Sequence, residues 1–105
     1  MSELSENIKA MTENIEGYCT LLLSGDLVDK EQIKPALKAG FDAIIGEMLV
    51  IYDRPELSGV RADREYWSAQ KGRIFKAIDS EDVFFTIDVL RNETEENLKL
   101  FMKML

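Results

Sequence analysis

The sequence predicts a small all-α protein, one domain over residues 1–105 that folds as a four-helix bundle of up-down type. Apolar residues recur at spacings of three and four along most of the chain, as on the buried face of an amphipathic helix. The chain has 105 residues and is 46% hydrophobic, which fits a single domain with a single core. Only the segment "VFFTIDVL" at 83–90 has the composition of a strand, and a lone strand has no partner with which to form a sheet.

The first helix is predicted over residues 3–24. Its apolar positions lie on one stripe: Leu4, Ile8, Met11, Ile15, Tyr18 and Leu22. Ser2 is the predicted N-cap, because its hydroxyl can accept a hydrogen bond from a free backbone N–H of the first turn. Gly25 is the predicted C′ residue, where the absence of a side chain permits a left-handed backbone.

The second helix is predicted over residues 30–52, with Asp29 as its N-cap. The segment "AIIGEMLVIY" has one charged residue in ten, so we expect this helix to be the most buried of the four. Pro35 lies beyond the first turn. A proline there either kinks the helix or marks a fresh start after a short turn, and the sequence leaves both alternatives open.

Pro55 is expected to end the second helix, and "LSG" at 57–59 is typical of a turn. The third helix is then predicted over residues 61–78. Its apolar line is formed by Trp67, Ile74 and Ile78, and it is the thinnest of the four.

The fourth helix is predicted over residues 81–104, with Ser80 as its N-cap. "VFFTIDVL" at 83–90 has the β-branched and aromatic content of a strand, but helical spacing continues through it to the end of the chain. The expected inward positions are Phe84, Ile87, Leu90 (or Arg91), Thr94, Leu98, Phe101 and Leu105. The sequence also allows a break near Asn92, with Thr94 as the cap of a new helix.

Missing residue types exclude several kinds of chemistry. The chain has no histidine, which removes Ser–His–Asp and Cys–His nucleophiles and histidine zinc ligands. The single cysteine, Cys19, cannot form an internal disulfide and is interpreted as a small apolar core residue. Neither "SGD" nor "LSGV" continues as a phosphate-binding loop. We therefore expect a protein that is not an enzyme and has no catalytic residue, cofactor or metal.

Charge and hydropathy argue against two kinds of partner. A net charge of −7 disfavours nucleic acid, where neutralisation of phosphates dominates affinity. No apolar run reaches the ~20 residues that a membrane span needs. The polar, acidic "MSELSENIKAM" is unlike a signal peptide. We therefore expect a cytoplasmic protein.

The C-terminal "LKLFMKML" is the first candidate binding surface. Six of its eight residues are apolar, more than one packed face of a helix needs. The predicted partner-binding residues are Leu100, Phe101, Met102, Met104 and Leu105. The alternatives are a broad core face or a helix covered by its own dimer mate. An acidic helical chain with an apolar last helix is similar in a general way to small bacterial secretion and flagellar chaperones and to adaptor domains.

The second candidate is the link "DRPELSGVRADREYW" at 53–67. The predicted ligand-binding residues are Arg54, Arg61, Arg64, Tyr66 and Trp67. Guanidinium groups can chelate carboxylate or phosphate oxygens, and the rings would supply flat apolar walls. The alternative is a surface charge network that fixes a helix connection.

The leading hypothesis is a non-enzymatic protein–protein interaction module that binds a partner helix. A bundle that binds a small anionic ligand and a structural homodimer are the alternatives.

Overall fold

The computed structural model describes residues 3–24, 30–54, 61–103 and 105, and in these ranges the chain is helical with no strand. Helix α1 spans Glu3–Ser24, α2 spans Lys30–Tyr52 and α3 spans Arg61–Asp79. The fourth helix of the bundle consists of α4 (Val83–Ile87), a π-helical segment (Asp88–Glu95) and α5 (Glu96–Met102), which follow one another without a break. The predicted four-helix bundle is confirmed.

Each helix packs against its neighbours in a ring. α1 contacts α2 and the fourth helix, and α3 contacts the same two. Lys38, early in α2, donates a 2.6 Å hydrogen bond to Asp79 at the end of α3. Asp53, just after α2, accepts one of 2.6 Å from Arg64 at the start of α3. These two bonds join opposite ends of α2 and α3, so the two helices are antiparallel, as in an up-down bundle.

The core runs along the inside of this ring. All six stripe positions predicted for the first helix are buried, and Cys19 lies among them. The apolar core consists of Leu4, Ile8, Met11, Ile15, Tyr18, Cys19, Leu22, Leu37, Phe41, Ile44, Ile45, Met48, Tyr52, Trp67, Ile74, Ala77, Ile78, Val89, Leu90, Leu98 and Phe101.

Helix α2 continues through Pro35, so the alternative of a fresh helix start is wrong. Pro35 is exposed and is the sixth residue of the helix, where its missing N–H removes one backbone hydrogen bond near the N-terminal end. The predicted caps Ser2, Gly25 and Asp29, and the predicted helix-ending Pro55, lie outside the described residues.

The start of the fourth helix differs from the prediction. Asp82 is the N-cap in place of Ser80, and its Oδ1 accepts from the backbone N–H groups of Phe84 and Phe85 at 3.1 and 3.2 Å. The Oγ of Ser80 instead accepts from the backbone N–H of Asp82 at 3.0 Å. Helix α4 therefore begins at Val83, two residues later than expected. Both side chains suit a cap, and sequence alone does not choose between two such residues this close together.

The alternative of a break near Asn92 is wrong, because a π-helical segment continues the helix there and Thr94 does not cap a new one. Thr94 is completely buried, and its hydroxyl donates 2.8 Å to the backbone carbonyl of Val89, five residues earlier. A π-helical turn holds more residues than an α-helical turn, so the inward face shifts by about one residue across it. C-terminal to the shift, Leu98 and Phe101 are buried as predicted.

On the N-terminal side of the π-helical segment, the prediction of inward positions fails. Thr86 is buried in place of Ile87, which is half-buried. Phe84 was expected to point inward and is 79% exposed. At the other end, Leu105 is 49% exposed instead of buried.

Buried polar side chains fix the fourth helix on α3. Gln70 is 4% exposed, and its Nε2 donates to the hydroxyl of Thr94 at 3.4 Å and to the carboxylate of Glu93 at 3.3 Å. The hydroxyl of Thr86 donates 2.7 Å to the carbonyl of Ala77. These bonds satisfy polar groups that would otherwise be costly to bury, so they set the register of the two helices.

Candidate functional site

One end of the bundle carries an open groove, here called the end groove, with a volume of about 460 Å³. The start of α1, the last turns of α2 and the C-terminal residue meet there. The residues that line it are Leu4, Glu47, Val50, Ile51, Arg54 and Leu105.

Apolar side chains make up most of the end groove. Leu4 is buried, Ile51 is half-buried, and Val50 and Leu105 are 67% and 49% exposed. Val50 is exposed because "AIIGEMLVIY" has more apolar residues than the inward face of one helix can hold. Exposed apolar residues gathered in a concavity are typical of binding surfaces.

Two opposite charges flank these apolar residues. Glu47 lies near the C-terminal end of α2, and Arg54 lies two residues beyond the end of this helix. Both side chains line the end groove. Neither forms an ion pair within the described part of the chain. Within the described residues, the end groove therefore presents one unpaired acidic and one unpaired basic side chain.

The predicted C-terminal binding surface is divided by the structure. Phe101 is 2% exposed and stacks edge-on against Tyr52, with 5.4 Å between ring centroids, so it belongs to the core. Leu100 is 58% exposed, and Met102 is partly buried against the core. Leu105 lines the end groove. Met104 lies outside the described residues.

The predicted anion-binding residues occupy different surroundings. Arg54 lines the end groove, whereas Arg64 is paired through its Nε with Asp53 at 2.6 Å. Trp67 is 3% exposed and is a core residue, and Tyr66 accepts a 3.0 Å hydrogen bond from Asn97. The side chain of Arg61 lies outside the described residues.

One residue from each predicted set therefore meets in the end groove, namely Arg54 and Leu105. Sequence reasoning missed the other lining residues, Leu4, Glu47, Val50 and Ile51. The surplus of apolar residues at the end of α2 was the available signal for Val50 and Ile51. Leu4 and Glu47 had no local signal, because their role depends on which helix ends lie side by side.

A second group missed by the sequence analysis lies between α1 and the fourth helix, here called the Glu95 cluster: Glu16, Arg91, Glu95 and Lys99. Arg91 donates to both carboxylate oxygens of Glu16, at 3.2 and 2.7 Å. Glu95 is 6% exposed, and its Oε1 lies 3.5 Å from the Nζ of Lys99. Its Oε2 is buried with no hydrogen-bond partner among the described residues.

Cys19 is fully buried next to this cluster. Burial raises the pKa of its thiol, which keeps the sulfur protonated and unreactive at neutral pH.

A second groove, of about 400 Å³, lies between α1 and α2, and Gly17 and Gly40 are among its lining residues. Its apolar lining includes Met11, Tyr18 and Leu37, and its charged lining residue is Glu13. It has no pair of opposite charges comparable to that of the end groove.

Of the residues that the structure describes, no group of three or more His, Cys, Asp or Glu side chains has the arrangement of a metal site. In the same residues, no helix combines the length and apolarity needed to cross a bilayer. Comparisons with protein-family models, with curated proteins and with solved structures each found no match.

Proposed function

We propose that this chain is a non-enzymatic, cytoplasmic interaction protein, an adaptor or chaperone-like bundle whose end groove binds an amphipathic helix of a partner protein. The observation that supports it is the apolar lining of the end groove, where Val50 is 67% and Leu105 is 49% exposed beside the buried Leu4. Covering these side chains with the apolar face of a helix removes them from water, which is favourable. Helix-in-groove recognition is the mode that suits such a surface.

The two charges of the end groove indicate which helix would fit. Glu47 lies near the C-terminal end of α2, and Arg54 lies just beyond that end, so the two charges flank the apolar part of the end groove. A partner helix in the groove would place a Lys or Arg against Glu47 and an Asp or Glu against Arg54. Its apolar residues, at spacings of three and four, would cover Val50 and Leu105. Charges at the rim of an interface fix orientation and specificity more than affinity.

A matched pair of substitutions tests this proposal in the full-length chain. Val50→Asp places a charge in the end groove. Leu23→Asp is the control, because Leu23 is similarly exposed at 59% but lies nineteen residues from Leu4 along α1, about 28 Å away. Both positions are on the surface, so both variants should retain the thermal stability of the wild type to within about 0.5 kcal/mol.

The measurement is affinity capture from native extract, followed by binding of a synthetic helix from the captured protein. We expect the wild type and Leu23→Asp to retain one stoichiometric partner, and Val50→Asp to lose it. The synthetic partner helix should bind the wild type and Leu23→Asp, and it should not bind Val50→Asp. Equal retention by all three proteins would contradict the proposal, as would a partner that binds through no helix.

The two alternatives have distinct signatures in the same experiments. A dimer that dissociates on Val50→Asp would assign the end groove to a second copy of the chain, and sedimentation analysis would reveal it. A change in Trp67 fluorescence on adding phosphate or a small carboxylate, lost in Arg54→Ala, would favour the anionic ligand. Either result, without a helical partner, would replace the proposal.

A further inference from the structure

The Glu95 cluster holds a carboxyl group in surroundings that disfavour its charge. The side chain of Glu95 is 8% exposed at the interface of the fourth helix with α1, and its Oε2 has no partner among the described residues. Burying a carboxylate oxygen without a hydrogen-bond donor is unfavourable, because the charge loses its hydration and gains nothing in return. A protonated oxygen has no such cost if an acceptor lies within reach.

The carboxylate of Glu16, on α1, faces the carboxyl group of Glu95 across this interface. Burial, followed by the interaction with Glu16, raises the pKa of Glu95. The hydrogen bond with Glu95 and then the guanidinium of Arg91 lower the pKa of Glu16. Opposite shifts in two facing carboxyl groups are typical of a pair that holds a single proton, because two adjacent carboxylates repel each other.

The charges around the pair come from each side of the interface. From α1, Glu16 and the raised-pKa thiol of Cys19 face it. From the fourth helix, Arg91 is occupied by both oxygens of Glu16, and the Nζ of Lys99 lies 3.5 Å from Glu95 on a side chain that is 54% exposed.

The neighbouring helix α3 does not supply a counter-charge to the pair. Its Arg73 binds both oxygens of Glu93, at 2.9 and 2.7 Å. Lys99 is thus the one cation directly against Glu95 in the described part of the chain, and its exposure to water weakens its attraction.

We propose that one proton, carried by Glu95 and shared with Glu16, fixes the fourth helix against α1, so that this helix pair is loosened as the pH rises. The proton allows Glu95 to donate to Glu16 and removes the negative charge from a buried side chain. Loss of the proton places a second negative charge in the interface next to Glu16. This inference does not depend on the end groove or on any partner.

The sign of the pH dependence follows from linkage. The pKa of Glu95 is higher in the folded protein than in the unfolded chain, where it is about 4.3. The stabilisation is therefore complete below the unfolded pKa and is lost as the pH rises through the folded pKa. Between these two values, the unfolding equilibrium constant should rise roughly tenfold for each pH unit.

The composition of the chain makes this change measurable. The sequence has no histidine, and the thiol of Cys19 has a raised pKa. The α-amino group titrates near pH 7.7 to 8. The interval from pH 5 to pH 7 lies above the usual pKa of a glutamate and below that of the α-amino group. A loss of stability with rising pH in this interval therefore reports on a carboxyl group whose pKa is raised by folding, and among the described carboxyl groups with a shifted pKa only that of Glu95 is raised.

The test is urea unfolding of the full-length protein from pH 5 to pH 7, with two glutamine variants. Glu95→Gln has nearly the same shape as the protonated carboxyl group and keeps a donor for Glu16. Glu96→Gln is the control, because it makes the same change of charge at the next residue, on a side chain that is 65% exposed and also near Lys99.

We expect the urea midpoint of the wild type and of Glu96→Gln to fall as the pH rises. The midpoint of Glu95→Gln should stay constant and exceed that of the wild type at pH 7. A constant wild-type midpoint would overturn the proposal, as would a Glu95→Gln variant that follows the profile of Glu96→Gln or is less stable than the wild type at pH 7.

A second measurement requires no variant. The ¹³C resonance of the Glu95 side-chain carboxyl in the wild-type protein reports its protonation directly. We expect its titration midpoint to lie above the value of about 4.3 that is usual for a glutamate. A midpoint at or below that value would overturn the proposal even if Glu95→Gln failed to fold.

Discussion

Two adjacent residues of α5 should respond very differently to truncation. Phe101 is 2% exposed and packs edge-on against Tyr52 at 5.4 Å, whereas Leu100 is 58% exposed. Removing a buried phenylalanine ring typically costs about 3–5 kcal/mol, of which an aromatic pair contributes about 0.5–1.5 kcal/mol. Leu100→Ala should stay within about 0.5 kcal/mol of the wild type, because it changes exposed surface.

Urea unfolding followed by Trp67 fluorescence measures both variants, since Trp67 is the chain's single tryptophan and is 3% exposed when folded. A loss of about 4 kcal/mol, with a slope of about 2 kcal/mol per molar, lowers the urea midpoint by about 2 M. If Phe101→Ala is too unstable to study, Phe101→Leu should still cost about 1–2 kcal/mol. Equal midpoints for the Phe101 and Leu100 variants would refute the burial of Phe101 against Tyr52 in the core.

Three further predictions concern single side chains. The hydrogen bond from Arg73 lowers the pKa of Glu93, so this pair stabilises the fold above the unfolded pKa of Glu93 and stabilises it less as the pH falls. The melting temperature of Glu93→Gln should therefore change less between pH 3 and pH 6 than that of the wild type. Identical pH profiles of the two proteins would contradict the pairing. Thr94→Val removes the hydroxyl that donates to the Val89 carbonyl at 2.8 Å. The free energy of unfolding in urea should fall by about 1–2 kcal/mol. An unchanged free energy would mean that this carbonyl does not need the hydroxyl. Gly17→Ala should stabilise the protein by about 0.5–1 kcal/mol, because alanine favours a helix more than glycine does and the added Cβ meets no atom within 4 Å. A lower melting temperature would show that the space is filled.

The first three helices illustrate what can be predicted well from local pattern. The stripe from Leu4 to Leu22 was sufficient to predict both the existence of α1 and the face that it buries. Breaks in the pattern and residues suited to turns predicted the ends of these helices to within one residue. These features depend on interactions between residues three or four apart, which are present in the sequence itself.

The fourth helix shows where local pattern fails. Strict helical spacing predicted Ile87 and Phe84 as inward residues, but the π-helical segment turns Thr86 inward and leaves Phe84 79% exposed. The π-helical segment is in contact with another helix, since Gln70 of α3 donates a hydrogen bond to Thr94. A pattern read along one helix contains no information about such a partner.

The candidate site was predictable only in fragments, for the same reason. The arginine-rich link and the apolar C-terminus each contributed one residue to the end groove, Arg54 and Leu105. The sequence offered no means of joining them, since they are 51 positions apart. Their meeting depends on the antiparallel order of the helices.

Periodicity, composition and turn residues were thus enough to establish an all-α bundle, the bounds of its first helices and the exclusion of histidine chemistry. These properties follow from short-range spacing and from which side chains are present. Packing of distant helices decided the inward face of the fourth helix, the burial of Phe101 and Trp67, the end groove and the facing carboxyl groups of Glu16 and Glu95. Those features arise because helix ends and faces far apart in the chain share one core, where burial changes the free energy of every side chain that enters it.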